Sequence, residues 1–419
     1  MKLAIEGGTP VRSKPLPPNY PGAMVMGDEE FEGVASIVQS QSLFRYYGPN
    51  VQNAVTDFEN TMAEKLKMPY VLGVSSGTAA LVVALKALGI GYGDKVIVPA
   101  NTFIATAGAV VCSNAVPVFA DVDDSLNVDP EDLERVIDEE VKAIVAVPIL
   151  GNPCDMEPIM DIATKYGLYV IEDVAQSCGA TYKGEYVGTI GHISTFSFQI
   201  NKILTAGEGG AVATRSRKFF ERAVRYHDQG MFRDKGRYGW DSPEETNACI
   251  GQNYRMNELT GAVLQEQWNK LDRVVAKMRT TWRTIREALS AELTNITFRT
   301  SVDEAGDIGS NLGIILPSAD VANQFAQALQ AENIQVSTLY GGKPVYMAPQ
   351  IFQQRTLERD RFPFNYPFKN PVVYSEDMCP RACDLMPITV YLPISPLLTE
   401  QDAGEIVRGV VKVFKGLGI

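Results

Sequence analysis

Short apolar runs recur through the first half of the chain, and each is followed by a longer stretch with helical spacing. Tyr70-Val71-Leu72-Gly73-Val74 leads through a Ser-Gly-Thr turn into a helical pattern from Ala79, and Lys95–Pro99 leads into another after Phe103. Further runs lie at Val116–Asp121, Ala143–Val147 and Leu168–Glu172, with helical stretches near 130–138 and 155–166. Apolar strands alternating with helices predict an α/β architecture whose mostly parallel sheet is covered on both faces. The pattern then changes. One long helix is predicted from Met256 to about Ala288. Residues 290–419 mix short strands, such as Gly313–Leu316, with a helix near 319–331 and a terminal helix opened by Thr399-Glu400-Gln401-Asp402. Residues 1–27, rich in Gly and Pro, read as an irregular arm that packs on the body, and Asp28 as the cap of a helix to about Gln41. The predicted division is an arm (1–27), a large domain (28–288) and a small C-terminal α+β domain (289–419).

Composition narrows the function. A chain of 419 residues exceeds one ordinary core. A net charge of −12 disfavours nucleic acid and anionic membrane as partners, because both would meet like charge. Six scattered cysteines without a CxxC pair, and only two histidines, make a metal site a poor reading. The chain does not start on a sustained apolar segment, and no run approaches the ~18 apolar residues of a membrane span, so the cytoplasm is the expected place.

The candidate chemistry sits at the ends of two runs. Lys202 lies in the apolar, glycine-rich stretch from Phe196 to Gly210. A lysine kept from water loses its charge readily and becomes a nucleophile toward carbonyl carbon, although most lysines in loops simply reach solvent. Upstream, Val170-Ile171-Glu172 delivers Asp173 at a strand end. A buried acid and a reactive lysine are the two protein groups that pyridoxal phosphate requires. The Ser75-Ser76-Gly77-Thr78 turn offers either ordinary helix capping or an anion site on free helix-start amides.

Taken in order, these motifs resemble the DegT/StrS family of sugar aminotransferases, with the aspartate-aminotransferase fold, from about Pro21 to the C-terminus. The resemblance implies pyridoxal 5′-phosphate as cofactor, Lys202 as its Schiff-base lysine and Asp173 beneath the ring nitrogen. It further implies Gln176 as donor to the ring's phenolate oxygen, and Phe103 as the stacking ring rather than a core residue. Gly77, Thr78, Ser197 and a partner's Asn253 would hold the phosphate. Gly251-Gln252-Asn253-Tyr254-Arg255-Met256 resembles the family segment that enters the partner subunit's site, which implies a homodimer with shared active sites and Arg255 facing substrate. The aromatic loop Ser42–Pro49 supplies Arg45 and Tyr47 as substrate candidates, and glutamate is the expected donor.

Three departures from the family bear on the acceptor. Pro148-Ile149-Leu150-Gly151 stands where many relatives have His-Leu-Tyr-Gly, no histidine lies near Tyr346, and Gln199 replaces the usual histidine before the lysine. Gln199 resembles the branch with 3-amino-5-hydroxybenzoate synthase and the inosose aminotransferases. A free carbohydrate acid or polyol is therefore expected. 8-Oxo-3-deoxy-octulosonate comes first, with an inosose, an aminobenzoate precursor or a nucleotide keto sugar as alternatives. The loop carrying Arg233, Lys235, Arg237 and Trp240 reads as a solvated basic loop. A pyridoxal-phosphate-binding regulatory protein is the non-enzyme alternative.

Overall fold

The structure, a computed structural model, describes residues 2–233, 236–237 and 248–419. Its strands are β1 (Tyr70–Val74), β2 (Lys95–Pro99), β3 (Val116–Ala120), β4 (Val141–Ala146), β5 (Tyr169–Asp173), β6 (Thr181–Tyr182), β7 (Glu185–Tyr186), β8 (Ile193–Ser197), β9 (Gly210–Thr214), β10 (Thr297–Phe298), β11 (Asn311–Ile315) and β12 (Thr389–Pro393). The helices are α1 (Asp28–Ser40), α2 (Ala54–Leu66), α3 (Gly77–Leu88), α4 (Ile104–Cys112), α5 (Pro130–Val136), α6 (Met156–Tyr166), α7 (Arg217–His227), α8 (Glu258–Glu292), α9 (Ala319–Ala331), α10 (Pro349–Phe352), α11 (Pro380–Leu385) and α12 (Glu400–Leu417).

Among the described residues the large sheet has the order β1-β9-β8-β5-β4-β2-β3. Its neighbours from β8 to β3 run parallel, whereas β9 is antiparallel to both β1 and β8. Alternate residues of one strand feed opposite faces. Val170 and Ile97 enter the core beneath α2, α6 and α8, while Ile171, Val96 and Val98 enter the core beneath α3, α4 and α7. This double burial explains the unbroken apolar runs. The strand β9 was not anticipated, because Gly210-Ala-Val-Ala-Thr214 reads as the tail of a glycine-rich turn. Strands β10, β11 and β12 form a separate antiparallel sheet that packs with α9.

One local expectation is corrected. Gly27, not Asp28, is the N-cap of α1, and the Glu30 carboxylate accepts its N–H at 2.8 Å. The segment after residue 344 returns to the large sheet. Tyr374 donates to the Pro117 carbonyl at 2.7 Å, the Lys95 amine donates to Asn370 O at 2.8 Å, and Tyr346 lies on Phe119 with centroids 5.5 Å apart. The arm runs as a strap. The Ala4 and Val11 amides donate to Glu332, Arg12 pairs with Asp402 and Glu405, and the Gly22 N–H reaches the carbonyl of Lys202 at 3.2 Å. No helix among the described residues is long and apolar enough to cross a membrane.

Candidate active site

Parallel strands end together, so the residues at their C-terminal ends meet in one crevice. Asp173 closes β5 and Ser197 closes β8, while Gly77 opens α3 just beyond β1. They line a cavity of about 550 Å³ with Thr78, Phe103, Thr106, Gln176, Gln199 and Lys202.

Close packing shapes one end of this cavity. A Cβ on Gly77 would fall 2.6 Å from the Cβ of Ser197, and one on Gly210 would fall 2.3 Å from the carbonyl of Ser76. Only glycine lets α3, β8 and β9 approach so closely. Ser76 caps α3 by accepting from the Ala79 N–H at 3.1 Å. The start of α3, with the hydroxyls of Thr78 and Ser197, is a cradle suited to a phosphate.

Asp173 is buried, at 4% exposure. Burial pushes its carboxyl above the ordinary range, against the opposing pull of Thr106 Oγ1 (3.0 Å), the Ala175 N–H (3.2 Å) and the charge of Lys202. Lys202 is perturbed the other way. Burial lowers its affinity for a proton, and Asp173 recovers part of the loss. Gln199 Oε1 accepts the Asn201 N–H at 2.9 Å, which fixes the turn that carries the lysine. The Phe103 ring is 53% exposed, with its centroid 6.1 Å from that of Tyr340.

Four predicted site residues do not line this cavity. Arg45 is buried elsewhere, and its guanidinium donates to Glu59 at 2.9 Å. Tyr47 is exposed and meets Phe44 edge-on at 4.6 Å. Asn253 is exposed, and Arg255 pairs with Asp228. Of the basic loop, the described Arg233 and Arg237 are both paired. Arg237 joins Arg45 on Glu59, and Arg233 joins Arg255 on Asp228. Lys235 and Trp240 lie outside the described residues. Burial works against the charge of Glu59, but Arg45 and Arg237 outweigh it and hold the carboxyl below its ordinary range.

Other wall residues escaped the sequence reading. The arm contributes Asn19 and Pro21, and the region of the small sheet contributes Ser310, Asn311 and Tyr340. Leu150 adds an aliphatic wall. Its backbone is left-handed (φ 50°) and is held by Ser310 Oγ on its carbonyl at 3.0 Å. Tyr346 is absent from the cavity: it is fully buried and donates to Glu376 O at 3.1 Å. Only the Gly341-Gly342 pair hinted that a turn near Tyr340 carried a special conformation.

A half-buried lysine, a buried strand-end acid and a phosphate-sized cradle on this fold define a pyridoxal-phosphate enzyme of the aspartate-aminotransferase class. Comparison with known proteins agrees. Residues 25–411 match the DegT/DnrJ/EryC1/StrS aminotransferase family. The chain is 36% identical over 344 residues to the L-glutamine:2-deoxy-scyllo-inosose aminotransferase of Streptomyces kanamyceticus, covering 79% of this chain and 78% of that one. It is 41% identical over 228 residues to the GDP-perosamine synthase of Escherichia coli O157:H7, covering 54% of this chain and 60% of the synthase's length. The crystal structure of 3-amino-5-hydroxybenzoic acid synthase superposes with a TM-score of 0.82 at 25% identity, over 96% of this chain and 100% of that one. The chain belongs to the DegT/DnrJ/EryC1/StrS aminotransferase family, whose aminotransferases use pyridoxal 5′-phosphate. The residues present fit that cofactor, since a side chain at position 77 would fill the cradle and both required ionisable groups border one cavity.

Proposed function

We propose that this aminotransferase moves an amino group from glutamate or glutamine to the ketone of a small uncharged polyhydroxy ring of the inosose type, in sites shared between two copies of the chain. The observation that carries the transfer chemistry is the placing of half-buried Lys202 and buried Asp173, with opposite perturbations, in one cavity beside the cradle. When bound, pyridoxal phosphate supplies an aldehyde that can hold the amino group and a ring that withdraws electrons. Lys202 Nζ, less basic than an exposed lysine, takes a proton from the donor's Cα and returns it during transfer. Asp173 holds a proton on the ring nitrogen. The first-turn amides of α3, with Thr78 and Ser197, bind phosphate. Gln176 donates to the ring oxygen, and Phe103 offers an open ring face.

The neutral acceptor is supported by the charge inventory. Among the described residues the cavity wall carries Asp173, Glu208 and Lys202 as its charged side chains. Arg45, Arg233, Arg237 and Arg255, the cations that could otherwise meet a substrate carboxylate, are engaged by Glu59 and Asp228. An octulosonate carboxylate therefore loses its support from this chain, whereas a polyol finds Gln199, Asn201, Ser310 and Asn311. The inosose aminotransferase relative favours the same choice. Sharing of sites is supported by the exposure of Phe103 on the cavity wall, and by Asn253 and Arg255 lying off this chain's own cavity. Six free cysteines are in keeping with the cytoplasm.

Borohydride treatment of the holoenzyme followed by peptide mapping should tag Lys202, and a tag elsewhere would overturn the assignment. The amino-loaded enzyme should then convert 2-deoxy-scyllo-inosose in a single turnover faster than 3-deoxy-octulosonate aldehyde or a nucleotide-linked 4-keto sugar. If the nucleotide sugar reacts fastest, the neutral-polyol reading is wrong. Mixing Lys202→Ala chains with chains carrying Asn253→Ala and Arg255→Ala should restore activity, and no recovery after demonstrated subunit exchange would mean that each site is built from one chain.

A further inference from the structure

Tyr340 belongs to no motif, yet its placement is tightly determined. Tyr340, Gly341 and Gly342 have successive φ values of 52°, 66° and 72°, all left-handed. A bulky residue keeps that conformation only where its surroundings impose it. Here both flanks are anchored. Ser337 exchanges two backbone hydrogen bonds with Tyr391 of β12, at 3.1 and 2.8 Å, and the Val345 N–H donates to Ala100 O, just beyond β2, at 2.8 Å. Gly342 lies against Pro387, where a Cβ would fall 2.7 Å from the proline Cα. The turn therefore spans from the small sheet to the large one and drives the tyrosine into the cavity.

There the ring lies beside Phe103, with centroids 6.1 Å apart, and the hydroxyl meets Gln176, whose Nε2 donates to Tyr340 Oη at 3.0 Å. Burial pushes the phenol's pKa up, against the opposing pull of this bond, so the phenol stays neutral and accepts through an oxygen lone pair. Gln176 follows β5 on a loop, and this contact comes from a part of the chain far away in sequence. One amide hydrogen is engaged by Tyr340 and the other remains for a ligand.

We propose that Tyr340 is a positioning residue that holds the Gln176 carboxamide in place for the ring oxygen of the cofactor. This rests on the reading of Gln176 given above. It gives the small sheet a direct hand in tuning the cofactor, because the turn that carries Tyr340 is pinned to β12.

A double-mutant cycle separates this role from packing. Four holoenzymes are compared: the natural chain, Tyr340→Phe, Gln176→Ala and the double variant, with Asp173 and Lys202 intact in all. The readout is the pH midpoint of the visible band of bound pyridoxal phosphate. A donor to an anionic oxygen favours the deprotonated form, so its loss raises the midpoint. Tyr340→Phe should raise it by about half a unit or more in the natural background, and by less than about 0.2 unit when Gln176 is already alanine. Equal shifts in both backgrounds, or no shift in the first, overturn the proposal. Gln176→Glu provides a second arm that does not touch Tyr340: a carboxylate there cannot donate, so the midpoint should rise at least as far as in Tyr340→Phe, and a fall would equally overturn it. A chain that binds no pyridoxal phosphate at all would instead overturn the functional reading, with size-exclusion profiles showing whether each variant is folded.

Discussion

Two buried charged regions of this molecule are built on opposite rules. In the cavity, Asp173 and Lys202 are both pushed toward their neutral forms by burial, and among the described residues the acid has a hydroxyl and one amide as hydrogen-bond partners. In the cluster behind it, Glu59 is fully buried between Arg45 and Arg237 and also accepts the Gly73 N–H at 2.6 Å. Asp228 binds Arg233 and Arg255 in the same fashion. The cluster satisfies its charges and so fixes loops. The cavity leaves its charges under tension and so keeps them available for proton transfer.

Removing the cavity's amine gives the largest expected effect. Lys202→Ala should fold, hold cofactor through the cradle, and lose transamination by about 10³-fold or more, measured by single-turnover absorbance. Normal turnover would erase the contrast. Asp173→Asn, an amide that cannot balance a protonated ring nitrogen, should cost on the order of 10²-fold while cofactor affinity changes little. If rates are unchanged, another acid serves the ring.

The cluster should respond in stability. Glu59→Gln leaves two arginines short of a counter-charge and should lower unfolding free energy by roughly 3–5 kcal/mol in denaturant titration. A loss below 1 kcal/mol would mean that water screens the cluster. A smaller effect is expected with pH. His227 is buried, accepts from Tyr46 on Nε2 (3.2 Å) and has its pKa lowered to about 4, chiefly by burial and then by Arg45. Between that value and the unfolded value of about 6.5 the unfolded chain binds the extra proton, so stability is present above that window and falls as pH drops through it. His227→Gln should flatten the pH 4–6.5 slope, a difference on the order of 2–3 kcal/mol at the acid end. Glu59 acts in the same sense: its lowered carboxyl contributes stability that is lost as acid protonates it. Asp173 is opposite, since a raised pKa gives stability at low pH that is lost as pH rises. Acid thus weakens the cluster and relieves the cavity.

The same contrast marks what could be read from the chain alone. Asp173 and the Ser-Gly-Thr turn stand at the ends of apolar runs, where strand geometry itself delivers them to one crevice, and Lys202 lies on the turn that follows β8. Arg45 and Glu59 carry no such signal. One lies in an aromatic loop and the other on a helix, and each alone looks like a surface charge, so their pairing is legible only after both elements pack on β1. Tyr340 and Asn19 were missed for a related reason. They reach the cavity by way of a left-handed turn and an irregular arm, neither of which has a periodicity to follow.

The arm has a consequence for the order of assembly. Its amides and Arg12 are satisfied by Glu332, Asp402 and Glu405, and its Gly22 closes on the loop of Lys202. Residues near the start of the chain therefore wait for partners near its end, and contacts so remote in sequence form late. A ribosome-bound chain can complete the β-sheet around Asp173 while the Lys202 loop still lacks its strap. The cavity is finished only when α12 emerges, so shortening that helix should yield a chain with a folded sheet and a loosely held catalytic loop.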